Sequence, residues 1–445
     1  MHLKHFWLWL LVIGVGLTAT PVQAEDAHPD EDVRDTRQSE LSAIRSEIQE
    51  LKRRSNSLEA QRESMVREEV RAYLTGVAAH GGASGADGFK GVTITASLTT
   101  VFLATVNADP FNRHQVNGDV DLDVDFEVTD NLDLFIYMTA NTDGAFPSEF
   151  DAISGGFPAT LSGAGDGIGV NGTVPTSPGS VRLREGGIHW ATGVGENTLH
   201  VIMGKLDPRD RFAQNKFAGD ENTQFLNNLF DDPPAITWPT NATGRTILGV
   251  HFWLHFGENE QYRFDIGWYN QPGQFFNRGI MLFQFTWSGQ LRGRDITVRI
   301  YGQIDTSPAD ESAGAGVSAD WWLTETIGIF ARGTVRDNIS PAMGGVNHIE
   351  SDWQVGVVFQ GLLSSRPDDT LGVAIGFIKG PAGAFIGSGV PENSETVIEI
   401  YYRYLEEDGK LQITPMVQFI LDPGAGTFTE PDTLVLLGLR IHVPF

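Results

Sequence analysis

The fold class written into this sequence is all-β and transmembrane: an antiparallel outer-membrane β-barrel of about sixteen strands, preceded by a short α-helical coiled coil. Three observations predict it. From about Gly91 to Phe445 apolar and polar residues alternate one by one, the period of strands with two unlike faces. The connections between these runs alternate as well, short then long, as they do when turns share one rim of a barrel and loops the other. The chain opens on a secretory signal and afterwards has no run of the ~18 apolar residues that a membrane-spanning helix needs.

Composition narrows the class further. A chain of 445 residues would ordinarily imply two or three soluble domains, because single cores stop growing near ~250–300 residues. Here 51 residues are Gly, about 11% against a usual ~7%, and only 41% are hydrophobic, too few for a helical membrane protein. The absence of Cys removes a disulfide framework, a thiolate metal site and a Cys nucleophile. With 31 basic and 57 acidic residues the formal charge is −26, which argues against nucleic acid and against an anion-collecting protein.

Residues 1–24 read as a signal peptide: a charged start through Lys4, an apolar region from Phe6 to Leu17, and the small-residue cleavage site Val22-Gln23-Ala24. That cleavage signature and the short apolar run decide against an uncleaved anchor helix. A polar linker follows at 25–40. Over 41–75, Leu41, Ile44, Ile48, Leu51, Leu58 and Met65 recur at three- and four-residue spacing, the seam of a coiled coil, with Ser55 and Arg62 interrupting it. An apolar seam on a thin helix implies self-association through 41–74 or docking on a partner; the alternative is a charged helix used as a spacer. Residues 76–90 are a Gly- and Ala-rich linker, and 91–445 form the barrel domain.

Strands are expected near 91–104, 118–129, 131–141, 181–192, 197–206, 245–256, 261–270 and 279–287. The second half supplies 294–305, 314–323, 327–336, 350–362, 370–379, 394–404, 411–421 and 432–443. Their lengths suit tilted membrane strands of ~9–11 residues, and an even number puts both ends of the barrel on one rim. The clearest alternation is Asp119–Val128, where Asp119, Asp121, Asp123, Asp125 and Glu127 share one face and apolar side chains the other. Such a face cannot be a dry interior, so these acids line a water-filled lumen while the outside meets lipid.

The chain ends with apolar residues at every second position back from Phe445, Leu437-Gly-Leu-Arg-Ile-His-Val-Pro-Phe445, an ending that resembles the signal read by the outer-membrane barrel-assembly machinery. Gly204-Lys-Leu-Asp-Pro208, Phe217-Ala-Gly-Asp-Glu-Asn-Thr-Gln-Phe-Leu-Asn-Asn228 and Pro233-Pro-Ala-Ile236 resemble the carbohydrate-selective, OprB-like porin family. So do Arg182-Leu-Arg-Glu185 and Glu395–Tyr404 leading into Leu411–Gly424. The resemblance spans roughly 90–445 and implies a sixteen-stranded outer-membrane channel for passive uptake of monosaccharides and related polar solutes, without a cofactor. Met416 and Asp422 depart from it, standing where an acidic residue and Asn are common, which bears on sugar preference. Gly186-Gly187 break the alternation of the strand carrying Arg182 and suggest a bulge.

A selective constriction for sugars needs bidentate polar groups beside an aromatic surface. Arg182, Arg184, Arg263, Arg299, Tyr301, Glu399, Tyr401 and Arg403 fall on inward positions, and the 207–244 connection is expected to fold inward with Asp220, Asn222, Gln224 and Trp238 narrowing the bore. The structural alternative is that inward Arg and Glu pair with one another and stiffen the wall. The eleven His residues show no metal-ligand spacing, and no nucleophile-turn motif points to an outer-membrane enzyme. Outer-membrane lipid and small carbohydrates are the expected partners. Two other functions fit the same residues: a general cation-preferring pore, and an envelope tether anchored by the barrel and acting through a coiled coil in the periplasm.

Overall fold

The computed structural model describes residues 91–106, 114–141, 181–236, 247–270, 279–306, 312–337, 349–380, 393–406, 409–422 and 433–445. The signal peptide, both linkers and the coiled-coil segment of 41–75 lie outside the described residues. The first eight strands are β1 (Gly91–Thr105), β2 (His114–Thr129), β3 (Leu132–Asn141), β4 (Val181–Val194), β5 (Asn197–Leu206), β6 (Ile247–Phe256), β7 (Tyr262–Asn270) and β8 (Gly279–Leu291). The rest are β9 (Arg294–Asp305), β10 (Ser312–Trp322), β11 (Ile327–Arg336), β12 (Ser351–Gln360), β13 (Thr370–Gly380), β14 (Asn393–Leu405), β15 (Gln412–Leu421) and β16 (Thr433–Pro444).

These sixteen strands pair in sequence order, all antiparallel, and β1 closes on β16 from Ser97 opposite Pro444 to Thr105 opposite Leu436. Closure leaves no unpaired edge, the condition for a sheet in hydrocarbon. Phe445 continues the seam by donating its N–H to the carbonyl of Ala96 at 2.8 Å, and its ring is exposed. Register puts alternation to work across strands. Thr99 lies opposite both Asp119 and His442, so β1, β2 and β16 turn these polar residues to one side, while Val92, Ile94, Phe102, Val120, Leu437 and Leu439 are exposed on the other.

The observed strands fall within a few residues of those expected, and the differences have local causes. Strand β8 runs to Leu291 because Arg292 and Gly293, at φ 56° and 74°, make a two-residue turn whose twist suits a hairpin and brings Arg294 directly opposite Leu291. The irregularity expected near Gly186-Gly187 is a register shift between β3 and β4: Tyr137 faces Glu185, but Met138 faces Leu183. Beside it Gly187 meets Gly204 of β5 so closely that a Cβ on Gly204 would sit 2.6 Å from the Gly187 Cα.

The bore is not hydrophilic all round, as the sequence suggested. The segment after β5 brings Phe217, Phe225, Leu226, Leu229 and Phe230 onto Val101, Leu103, Phe330, Val397, Met416, Ile420, Leu434 and Leu436 in one buried apolar cluster. Val101 pairs with Arg440 and Leu436 with Gln418, so these apolar wall residues share the inner face with the polar ones. Burial of the segment's own hydrophobic side chains makes an apolar patch on the inner wall favourable there.

A candidate constriction inside the barrel

The inward segment begins where Leu206 ends β5. Asp207 caps a short 3-10 turn, Pro208–Asp210, by accepting the Arg209 N–H at 3.1 Å. Glu185 on β4 fixes the turn in space: its carboxylate takes the Arg211 guanidinium at 2.6 and 2.9 Å and accepts the Asp207 N–H. The chain then crosses the barrel, and wall side chains satisfy its backbone one group at a time. Gln284 of β8 accepts the Ala213 N–H at 2.8 Å, and Ser318 of β10 accepts from the Asn215 side chain at 3.0 Å.

Two wall residues carry the middle of the segment. Arg332 of β11, 2% exposed, donates to the carbonyls of Ala213 at 3.1 Å, Phe230 at 2.6 Å and Asp231 at 3.0 Å. Glu399 of β14, wholly buried, accepts the N–H groups of Leu226 and Asn227 at 2.7 and 2.8 Å. Asn227 then caps the short helix α1 (Asn228–Asp231) through the Leu229 N–H at 3.0 Å. Gln354 of β12 donates to Leu229 O at 2.7 Å, and Asp352 accepts the Ala235 N–H at 3.0 Å. The tip near Asp220 is held by Arg440 of β16, which donates to Glu221 O, and by Arg403 of β14, which donates to Thr223 O at 3.4 Å.

A second apolar cluster joins Phe212, Ala213 and Ile236 of the segment to Phe135, Ile202, Tyr269, Ile280 and Leu282, and beside it the inner wall is polar. On β2, Asp121, Asp123 and Asp125 are half-buried and Glu127 exposed, while Asp119 is buried and bonded by Thr139 at 2.5 Å. Tyr137 donates to Asp125 at 3.1 Å. Arg184 pairs with Asp210 of the inward segment at 3.5 Å and also acts electrostatically on Asp121 and Asp123, so one cation lies between two acidic surfaces. The segment itself presents Asp210, Asp220, Glu221, Asn222 and Gln224 in partly exposed positions.

Crowding shapes the charge of this segment. Against the cost of burial, the Arg209 guanidinium at 2.6 Å holds the Asp207 carboxyl below the usual carboxylate range. Burial pushes Asp232 up to about 6, an effect that Arg209 opposes and Asp207 reinforces. Burial and the adjacent Asp220 charge push Glu221 up to about 8. Of these groups Asp220 and Glu221 are partly exposed, whereas Asp207 and Asp232 are buried. Among the described residues no cluster of His, Asp or Glu is arranged to hold a metal ion.

Residues 252–445, from within β6 to the C-terminus, match the family model of the carbohydrate-selective porin, OprB family. Over that stretch the chain is similar to this family. The high-pH structure of Pseudomonas putida OprB shares its fold at 16% identity and a TM-score of 0.61, over 80% of this chain and 94% of that one. The low-pH structure gives 15% identity and a TM-score of 0.50, over 82% and 98% of the two chains. No curated protein matches the chain. The matched family is described as one of carbohydrate-selective porins, and the sixteen-stranded barrel is the fold that this chain shares with the solved porin.

In the porin, the residues singled out from sequence divide by what covers them. Arg184, Asp220, Asn222 and Gln224 remain partly exposed beside the open bore, as do Arg263 and Arg403. Arg299 is in a wall pair with Asp320 at 2.6 Å, and Arg263 in another with Asp265 at 2.5 Å, the stiffening role named as the alternative. Glu399, Tyr301 and Tyr401 face inward but are 0%, 2% and 2% exposed, so they support the inward segment and are not surfaces a solute touches. Tyr301 is bonded to Thr334 at 2.9 Å, and Phe225 caps Tyr401 edge-on with centroids 4.9 Å apart. The side chain of Arg182 and all of Trp238 lie outside the described residues.

Sequence reasoning passed over Arg211, Arg332, Asp352, Gln354 and Arg440, which hold the segment. The available signal was a lone polar residue in phase with apolar ones, as in Phe330-Ala-Arg332 and Leu436-Leu-Gly-Leu-Arg440.

Glu399→Ala removes two buried acceptor contacts and leaves two buried N–H groups without partners, at about 1–3 kcal/mol each. The expected result is a closed barrel whose 207–236 segment is cut readily by protease and whose single-channel current is noisier; wild-type protection would contradict the anchoring role. Acidification from about pH 8 to about pH 5 protonates Glu221 and then Asp232, since both are raised. Cation preference, read as reversal potential in a salt gradient, should fall over that window, and Asp232→Asn should remove its lower part.

Proposed function

We propose that this porin lets sugars and similar small polar solutes diffuse passively through a water-filled, acidic bore. The observation that carries this reading is the pairing of a carboxylate-lined wall on β2 with an inward segment offering Asp220, Asn222 and Gln224, joined by the Arg184–Asp210 pair. Hydroxyl-rich solutes need alternating donors and acceptors in place of lost water, and the carboxylates, amides and guanidinium supply them at close spacing. Arg403 extends the polar surface toward the tip of the segment. Liposomes containing the porin should swell in isosmotic monosaccharides faster than in disaccharides of the same chemistry. Swelling that tracks size alone, with no difference between sugars and polyols of equal mass, would leave a non-selective pore.

The second reading, a general cation-preferring pore, is favoured by the acids on both sides of Arg184 and by the net charge of −26. It predicts a cation-selective reversal potential that no added sugar alters, whereas sugar-selective passage predicts a reduced current when sugar occupies the bore. The heptad pattern of 41–74 supports a further element, a periplasmic helix that associates with copies of itself. Cross-linking should capture oligomers of the full chain and lose them when 35–75 are deleted.

A further inference from the structure

Four histidines that are scattered in the sequence gather on the inner wall near the short-turn rim, which is the periplasmic rim in outer-membrane barrels. His189 of β4, His200 of β5, and His251 and His255 of β6 share the inner face with Trp253, since Trp253 is the register partner of His200, and His251 that of Ile202. The rings of His189 and His200 are parallel within 3°, with centroids 5.3 Å apart, yet His189 Nε2 lies 3.1 Å from His200 Nδ1. Nitrogens that close, on rings that far apart, put the two imidazoles side by side in almost one plane. They form a single flat surface joined by a hydrogen bond.

Trp253 lies over this surface. Its ring is parallel to His200 within 2° at 4.7 Å and to His189 within 5° at 5.4 Å, too near for an edge-to-edge arrangement. Arg263 covers Trp253 at 5.2 Å, and the guanidinium is held by Asp265 at 2.5 Å, so the stack is backed from the wall. Asp133 orients the far end by contacting His189 Nδ1 at 3.2 Å. When Asp133 accepts the Nδ1 proton, neutral His189 accepts from His200 Nδ1, and His200 Nε2 is left as an acceptor.

The face away from Trp253 looks toward small residues. The register partner of His200 is Ala191, and the next inward position on β4 is Gly193, where an added Cβ would meet nothing within 4 Å. The side chains of His189 and Asp133 are 26% and 41% exposed. Thr198 and Glu260, bonded at 3.2 Å, stand at the rim of the same space.

The geometry points to a second solute site in this porin: a docking slot for one pyranose ring at the short-turn mouth, with His189 and His200 as its flat wall. The apolar C–H face of a sugar ring packs on a planar aromatic surface, while its hydroxyls reach Asp133, Glu260 and the free edge of His200. The slot rests on the reading that sugars pass this pore, and it adds a binding step on the way through. Its lining comes from β3 to β7 and the Glu260 turn, while Trp253 at its back packs against the cluster that includes Phe212 of the inward segment.

Full-length porin in planar bilayers, with glucose added to one side at a time, tests it. His200→Ala removes half of the flat wall. Ala191→Leu fills the slot while keeping the imidazole pair and Trp253, so it guards against a change that merely unsettles the wall; heat-modifiable gel mobility verifies barrel closure. The quantity read is the ratio of glucose block from the short-turn side to that from the long-loop side within each protein. Both variants should lower that ratio about three- to tenfold, the scale of one lost stacking contact. A wild-type ratio in both variants overturns the slot while leaving sugar passage intact. Wild-type porin that conducts ions but shows no glucose block from either side overturns the sugar reading, and the slot with it.

Discussion

A segment folded into the middle of a membrane barrel has to find a partner for each backbone group it removes from water, and the rest of this molecule depends on how 207–236 meets that requirement. A buried peptide group without a hydrogen bond costs on the order of a few kcal/mol, so an inward loop held only by apolar contacts would not stay in one place. The wall answers with side chains at the required heights: Glu185, Gln284, Arg332, Asp352, Gln354, Glu399 and Arg440. Glu399 and Arg332 are complementary in this respect, one accepting two N–H groups and the other donating to three carbonyls. Each uses a charge to bind neutral dipoles, which is stronger than a neutral pair and does not demand an opposite charge on the loop.

That arrangement gives the bore apolar and polar stretches of inner wall. Where the middle of the segment lies, from β10 round to β1, the inner wall carries apolar residues between its polar anchors, and a second apolar cluster receives Phe212, Ala213 and Ile236 against Phe135, Ile202, Tyr269, Ile280 and Leu282. From β2 to β7 the inner wall keeps carboxylates, histidines and guanidinium groups within reach of water. The β2 acids and the outward surface of the segment face each other across Arg184. A radially uniform pore would spread the same charges around its circumference; here a single cation, Arg184, acts on acids of both surfaces.

This division also explains what could be read from sequence. All sixteen strands were legible because lipid imposes an apolar outer face on every one of them, and that constraint does not depend on what fills the barrel. The inner face has no such uniform rule. Asp119 to Glu127 declared itself because water faces it, whereas Leu434 and Leu436 look like any apolar strand residues until the covering segment is placed over them. Glu399 and Tyr401 lie beneath the segment, and alternation reports direction and not what lies above a side chain. The imidazole pair was less accessible still: His189 and His200 meet diagonally across β4 and β5, and the register that brings them together also sets Trp253 opposite His200.

The two polar regions differ in the kind of contact they offer, and the difference follows from the elements that carry them. The constriction is borne partly by a loop, so its groups are held by hydrogen bonds that other hydrogen bonds can replace, and solute selection there rests on donors, acceptors and charge. The flat wall of His189 and His200 is borne by strands, whose spacing is fixed by the backbone ladder, and its rings lie parallel to that of Trp253. A rigid planar surface selects for ring shape, which a field of carboxylates cannot do. A sugar differs from other small polar solutes in having both properties at once, many hydroxyls and an apolar ring face. A pore that places the two kinds of contact in series tests a solute for each in turn without binding it tightly at either, which is the condition for selective passage by diffusion.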